Sequence, residues 1–176
     1  SSAAFDSTSR AGISIDAGGF LWLHGVNTSG IIAIRSSSAY VVTSWSTEYS
    51  AGGGARTLGG YSDHTNGVSL GSNSLLIFAI DANASAGDLY CIPVADGTGF
   101  GTLRQVNATT TCHQTNWAAF RNSNGDIYCL HSDGTGNSDT GAQVLRVSQD
   151  GGDTWATCTS PSITGNGTST DGMWVV

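Results

Sequence analysis

The sequence predicts an all-β protein built from repeated four-stranded antiparallel units, propeller-like in arrangement, with a β-sandwich as the alternative. Three observations predict it. With 25 Gly, only 2 Pro and 11% charged residues in 176, together with many Ser, Thr and Asn, the chain has the residues that short strands and frequent turns require. Helix-forming residues are scarce, since there is no Lys and a single Glu, Glu48. The third observation is an internal repeat with a period near 40 residues, which points to a repeat architecture within one domain.

The repeat is explicit in two places. Gly87-Asp88-Leu89-Tyr90-Cys91-Ile92 is echoed by Gly125-Asp126-Ile127-Tyr128-Cys129-Leu130, and an Asp-Gly-Thr-Gly follows each, at 96–99 and 133–136. Leu103-Arg104 matches Leu145-Arg146, and Thr111-Cys112 matches Thr157-Cys158. In chain order, a first, looser unit spans about 11–49, with strands at 12–15, 19–23, 32–35 and 40–45. A Gly-rich linker at 50–73 is the expected irregular excursion. The second unit, 74–114, has strands at 75–81, 89–94, 102–106 and 109–114; the third, 116–159, has them at 117–121, 127–132, 143–148 and 154–159. A closing strand is expected at 172–176. Arg35, Arg104 and Arg146 share one repeat position.

Cysteine falls only in the two closer copies and at matching places. Repeat equivalence selects Cys91 with Cys112 and Cys129 with Cys158 from three pairings, with four buried free thiols as the alternative. Such loops would stabilise by roughly 3–4 kcal/mol in the chain-entropy account of disulfides.

Ser148-Gln149-Asp150-Gly151-Gly152-Asp153-Thr154-Trp155 fits Ser-x-Asp-x-Gly-x-Thr-Trp. Here the chain resembles the Asp-box repeats of sialidases and related β-propellers. The resemblance implies a hairpin turn between the third and fourth strands of a blade. Ser148 and Asp150 would close the turn by backbone hydrogen bonds, Gly152 would permit its backbone angles, Trp155 would pack beneath it, and Thr154 is the remaining fixed position of the motif. It implies architecture and not catalysis, because the arginine triad, Tyr–Glu pair and acid Asp of a sialidase are spread over about six blades and this chain has some three.

A net charge of −7 without any basic cluster makes nucleic acid an unsuitable partner. The longest apolar run, 75–80, is far below the ~20 residues of a membrane span, so no membrane insertion is expected. Ser1 to Phe5 lack a basic, hydrophobic signal segment, so export is expected through a removed signal or by another route.

For catalysis, Glu48 stands alone and the Asp residues belong to turns, whereas glycoside hydrolysis ordinarily uses two carboxyl groups. No cofactor or metal is expected, since most such stretches are plain turns; the alternative is calcium, through the alternating oxygen side chains of Asn122, Asn124 and Asp126 and of 133–139. Tyr40, Trp45 and Tyr49 are the candidate ligand face, since aromatic rings stack well on sugars. Asn27, Asn83, Asn107 and Asn166 begin glycosylation sequons. The expectation is a non-catalytic recognition or structural module of the cell exterior or virion surface, contacting glycans and assembling as a homo-oligomer. Two alternatives are a reduced sialidase-like hydrolase and a purely structural filament or capsid subunit.

Overall fold

The run Leu75 to Ile80 is apolar at every position, so a strand made from it needs a covering layer on both faces. The computed structural model describes residues 11–27, 30–46, 48–51, 65–81, 86–107, 112–133 and 142–158, and it puts this run at the centre. Side chains on a strand alternate between faces. Leu75, Ile77 and Ala79 pack with Trp22, Ile31 and Ala33 on one side; Leu76, Phe78 and Ile80 pack with Trp117, Ile127 and Cys129 on the other.

The described residues form three antiparallel sheets and no helix. Sheet 1 is a meander of β1 (Gly12–Ile15), β2 (Leu21–Asn27), β3 (Gly30–Arg35) and β4 (Tyr49–Ser50). Sheet 2 contains β5 (Asn66–Gly71), β6 (Ser74–Asp81) and β7 (Ala86–Ala95), with the short β8 (Gly99–Phe100) and β9 (Arg104–Gln105) both paired to β7. Sheet 3 contains β10 (Cys112–Arg121), β11 (Ile127–Asp133), β12 (Ala142–Ser148) and β13 (Ala156–Thr157). Cys112 and His113 at the start of β10 pair with Gly87 and Ala86 of β7, and after a register shift Trp117 onward pairs with β11. One strand therefore ties sheets 2 and 3 together.

The first strands lie beside one another. Ser14 Oγ in β1 donates to Gly67 O in β5 at 2.9 Å. Arg121 Nη1 at the end of β10 donates to Ser69 O and Leu70 O at 3.2 and 3.1 Å. Gly67 permits the approach, since a Cβ there would sit 2.5 Å from Ser14 Oγ.

The predicted units are out of phase with the middle sheet. Sheet 2 begins at Asn66, inside the predicted linker 50–73, and its last strand ends at Gln105; described residues of the predicted fourth strand, 109–114, open β10 instead. The two echoed hexapeptides explain the slip. Gly87 to Ile92 lies in β7, the third strand of its sheet, whereas Gly125 to Leu130 enters β11, the second. A turn followed by an apolar strand suits either place. In sheet 1 the predicted strand 40–45 is a loop apart from a single bridge between Ser36 and Trp45, and Tyr49–Ser50 supplies the fourth strand. Arg35 and Arg146 also differ in face: Arg35 opposes Trp22, whose side chain meets sheet 2, whereas Arg146 opposes Cys129, on the side of sheet 3 that meets sheet 2. The closing strand at 172–176 lies outside the described residues.

The expected disulfide pairings are corrected. Among the described residues no disulfide joins Cys91, Cys129 or Cys158. Cys129 opposes Arg146, and Arg146 opposes Thr157 on its other side, so a whole strand separates Cys129 from the chain at Cys158. With strands ~4.8 Å apart the gap is about 10 Å, beyond the ~7 Å limit between bridged Cα atoms. Cys112 opposes Gly87, four residues from Cys91, which is about 13 Å along a strand rising ~3.3 Å per residue. For Cys129 and Cys158 an intervening strand defeats the pairing, whereas for Cys91 and Cys112 the strands β7 and β10 are neighbours and the register defeats it.

Candidate functional site

Third-to-fourth-strand turns carry much of the polar chemistry. In sheet 3, Ser148 Oγ donates to Asp150 Oδ1 and accepts from Gly152 N, both at 2.8 Å. Asp150 accepts from Thr154 Oγ1 at 2.6 Å and from Thr154 N at 2.9 Å. These donors, the Thr154 hydroxyl foremost, hold the Asp150 carboxyl down at about 2. Gly151 and Gly152 take φ of 75° and 100°, angles that side chains resist. Trp155 Nε1 donates to Gly152 O at 3.2 Å, and its ring meets Phe78 of sheet 2 edge-on, with centroids 5.8 Å apart. A Cβ on Gly152 would lie 2.6 Å from Leu76 Cδ2. The Cys91 thiol, pushed up to about 12 by burial, donates to Gly152 O at 3.6 Å. The turn is thereby seated on sheet 2.

The junction of sheets 1 and 2 centres on Asp16, in the β1–β2 turn. Its carboxylate accepts from Gly18 N at 2.8 Å, Phe20 N at 3.1 Å, Trp22 Nε1 at 2.9 Å and Asn73 N at 3.1 Å. Burial pushes this carboxyl up, but the Trp22 indole, the Phe20 and Gly18 amides and Arg35 together hold it below the ordinary range. Arg35 Nε lies 3.5 Å from Asp16, Nη1 donates to Asp96 at 2.8 Å, and Nη2 donates to Asn73 Oδ1. The guanidinium also sits 3.4 Å above the Phe20 ring. Asp16, Asn73 and Asp96 come from three separate turns, so nothing in their sequence spacing brings them to Arg35. The local signal available was Asp16 before Gly18-Gly19, a turn pattern in which a carboxylate can satisfy free amides.

The aromatic candidates separate. Tyr49 faces inward: its ring centroid is 6.1 Å from that of Trp22, its hydroxyl donates to Asp96 at 2.6 Å, and Gly97 N donates to it at 3.2 Å. Burial and the Asp96 bond push its phenol up. Trp45 is half-buried at the base of the 36–45 loop, with Nε1 donating to Val42 O at 3.0 Å. Tyr40 stands at the tip, 77% exposed, beside the exposed Val41 and Val42.

Backbone bonds fix that loop. Ser37 N donates to Ser44 O at 2.9 Å, Val41 N to Ser38 O at 3.4 Å, and Tyr40 N to Gly19 O at 2.8 Å. Tyr40 has φ of 58°, an uncommon state for an aromatic residue. Its ring lies across Gly19, where a Cβ would be 2.5 Å from the Tyr40 Cζ. One ring face rests on backbone and the residue remains largely open to solvent.

The other candidates have plainer placements. Asn122 Oδ1 accepts from Asn124 N and Asp126 N, and Asn122 Nδ2 donates to Asp126, so oxygens counted as calcium ligands close the β10–β11 turn. Of the 133–139 stretch, everything after Asp133 lies outside the described residues. Asn107 is fully buried and its amide caps Leu89 N at 2.8 Å, which leaves no room for a glycan there. Asn27 ends β2 half-buried, and Asn83 and Asn166 lie outside the described residues. His24, unmarked in the sequence, is buried between Ser14 Oγ at 2.9 Å and Thr65 Oγ1 at 2.6 Å, and burial pushes it down to about 4. Ser14 Oγ donates to Gly67 O and Thr65 Oγ1 donates to His24 O at 3.3 Å, so each hydroxyl beside the ring has a carbonyl acceptor. A serine already donating to a carbonyl is not being activated by that imidazole. No protein-family model and no curated protein compared with the chain matches it.

Proposed function

We propose that this chain is a non-catalytic recognition module of an exterior surface, extracellular or on a virion, that contacts glycans through Tyr40 on a propeller-like, self-assembling scaffold. The Tyr40 platform carries the reading. An aromatic ring backed by Gly19, locked by a bond from its own amide and open to solvent, presents a stacking face with little conformational freedom left to lose. Val41 and Val42 widen the apolar contact.

Electrostatics supports the same reading. Asp16, Asp96, Asp150 and Asp153 all bind turn amides, hydroxyls or arginines in this fold. Each of these four carboxylates has a structural occupation, unlike the carboxyl pair that a glycosidase keeps for its substrate. The succession of sheets, each seating a turn on the previous one, supports the propeller-like arrangement over a simple sandwich.

A glycan array tests the proposal directly. The wild type is expected to retain a subset of glycans, and Tyr40→Ala is expected to lose them at least tenfold while keeping the wild-type melting temperature. Binding unchanged by Tyr40→Ala would sink the platform reading. Turnover of a sialoside reporter that disappears in Glu48→Gln would replace it with the hydrolase.

A further inference from the structure

An acidic sugar needs a cation to hold it. A carboxylate or sulfate taken out of water is retained by lysine or arginine, most tightly by a guanidinium whose N–H groups are free. The chain has no Lys and six Arg. Four of the six, Arg35, Arg104, Arg121 and Arg146, lie among the described residues, and each is engaged inside the fold. Arg35, 6% exposed, is shared between Asp16, Asp96 and Asn73 and covers Phe20. Arg104 holds Asp153 at 2.8 Å. Arg121 donates from Nη1 to Ser69 O and Leu70 O and from Nε to Gly125 O. Arg146 is 8% exposed and donates from Nη1 to Thr157 Oγ1 at 2.7 Å.

The Tyr40 platform is the opposite kind of surface. Its ring lies across Gly19, its amide is fixed to Gly19 O at 2.8 Å, and the residue is 77% exposed. The next two residues are Val41 and Val42, 36% and 59% exposed. The face of an aromatic ring carries the negative side of its quadrupole. It attracts the weakly positive C–H groups on one side of a pyranose and repels a carboxylate or a sulfate. The net charge of −7 acts in the same direction. Ring electrostatics and overall charge therefore select against the same ligands.

We infer that the ligand of the Tyr40 platform is an uncharged pyranose, stacked on the ring by its C–H face, and that sialylated and sulfated glycans are excluded. The inference names the ligand class of the site proposed above and rests on that reading. A terminal β-linked galactose has the required shape, since its axial hydroxyl leaves an apolar patch of C–H groups on the other side of the sugar ring. Capping it with sialic acid sets a carboxylate beside the aromatic face with no described guanidinium left to receive it.

A glycan array that carries N-acetyllactosamine beside its sialylated and sulfated forms tests this with the whole chain. The wild type is expected to bind the neutral form at least about tenfold more strongly than either acidic form, because like charges brought together oppose binding. It is also expected to bind the neutral form equally at about 0.05 and 0.5 M salt. Val42→Arg places a cation beside the ring and is expected to narrow the preference at low salt. A wild type that prefers an acidic form, neutral binding that collapses in high salt, or a preference unchanged in Val42→Arg would overturn the inference and leave the platform in place. Binding of none of the three forms, or binding indifferent to Tyr40→Ala, would remove the platform and the inference with it, so the two failures are read separately.

Discussion

The two sheet junctions use the same ionic pair in opposite surroundings. Arg35 of sheet 1 meets Asp96 in the β7–β8 turn of sheet 2, and Arg104 of sheet 2 meets Asp153 in the β12–β13 turn of sheet 3, each at 2.8 Å. The Arg35 side chain is only 7% exposed and is backed by a fully buried Asp16, whereas Arg104 and Asp153 are 33% and 62% exposed. The first junction therefore buries a charge cluster beside its apolar layer of Trp22, Ile31, Leu75 and Ile77. The second depends on Phe78, Trp155, Leu76 and the seat of Gly152, with the ionic pair at its rim. The position of an Arg–Asp pair in a repeat does not reveal its worth; burial decides it.

The largest expected effect is at the buried end. Asp16→Ala leaves Arg35 buried beside one remaining carboxylate and removes the acceptor for three backbone amides and the Trp22 indole. Losing one partner of a buried ionic group costs about 3–5 kcal/mol, and the urea midpoint should fall accordingly. A loss under about 1 kcal/mol, the size typical of exposed pairs, would show that the first junction is held by its apolar residues like the second.

Acid should act next, and through sheet 1. The unfolded chain binds a proton at His24 near pH 6.5, whereas the folded chain, with this imidazole pushed down to about 4 by burial, does not. Stability is thus expected to fall as pH drops from about 6.5 to about 4, by up to roughly 3 kcal/mol, and then to stop falling on account of this group. Asp16 and Asp150, both held below the ordinary carboxylate range, contribute losses only at lower pH. Denaturant titrations of the wild type and His24→Gln across this interval check it: the slope should flatten in the variant. An equal slope in both would place the proton uptake elsewhere.

Much of this architecture was legible because it is written locally. Six consecutive apolar residues announce a strand covered on both faces, and Ser148 to Trp155 contain every atom needed to close their own turn. Two glycines in Asn66–Gly71 hide β5, whose place depends on Ser14 and Arg121 from other sheets. The cysteine pairing failed because repeat position shows neither the strand lying between Cys129 and Cys158 nor the register that sets Cys112 opposite Gly87, four residues from Cys91. Tyr40 was legible as a candidate, but its φ and its seat on Gly19 are tertiary facts. The junction around Arg35 was hidden for the same reason, since its partners lie up to 61 residues away.

The smallest expected effect separates the junctions most cleanly. Arg104→Ala removes a guanidinium already in contact with water and leaves Asp153 free to hydrate, so the loss should be about 0.2–1 kcal/mol and should shrink further in high salt. Arg35→Ala removes a buried cation that three turns converge upon, and the carboxylate it strands at Asp16 cannot reach solvent. Measured side by side, the ratio of the two losses should exceed about threefold and be nearly independent of salt for Arg35. Equal losses would mean that burial at the first junction gives way on substitution, with sheet 1 shifting to let water reach Asp16.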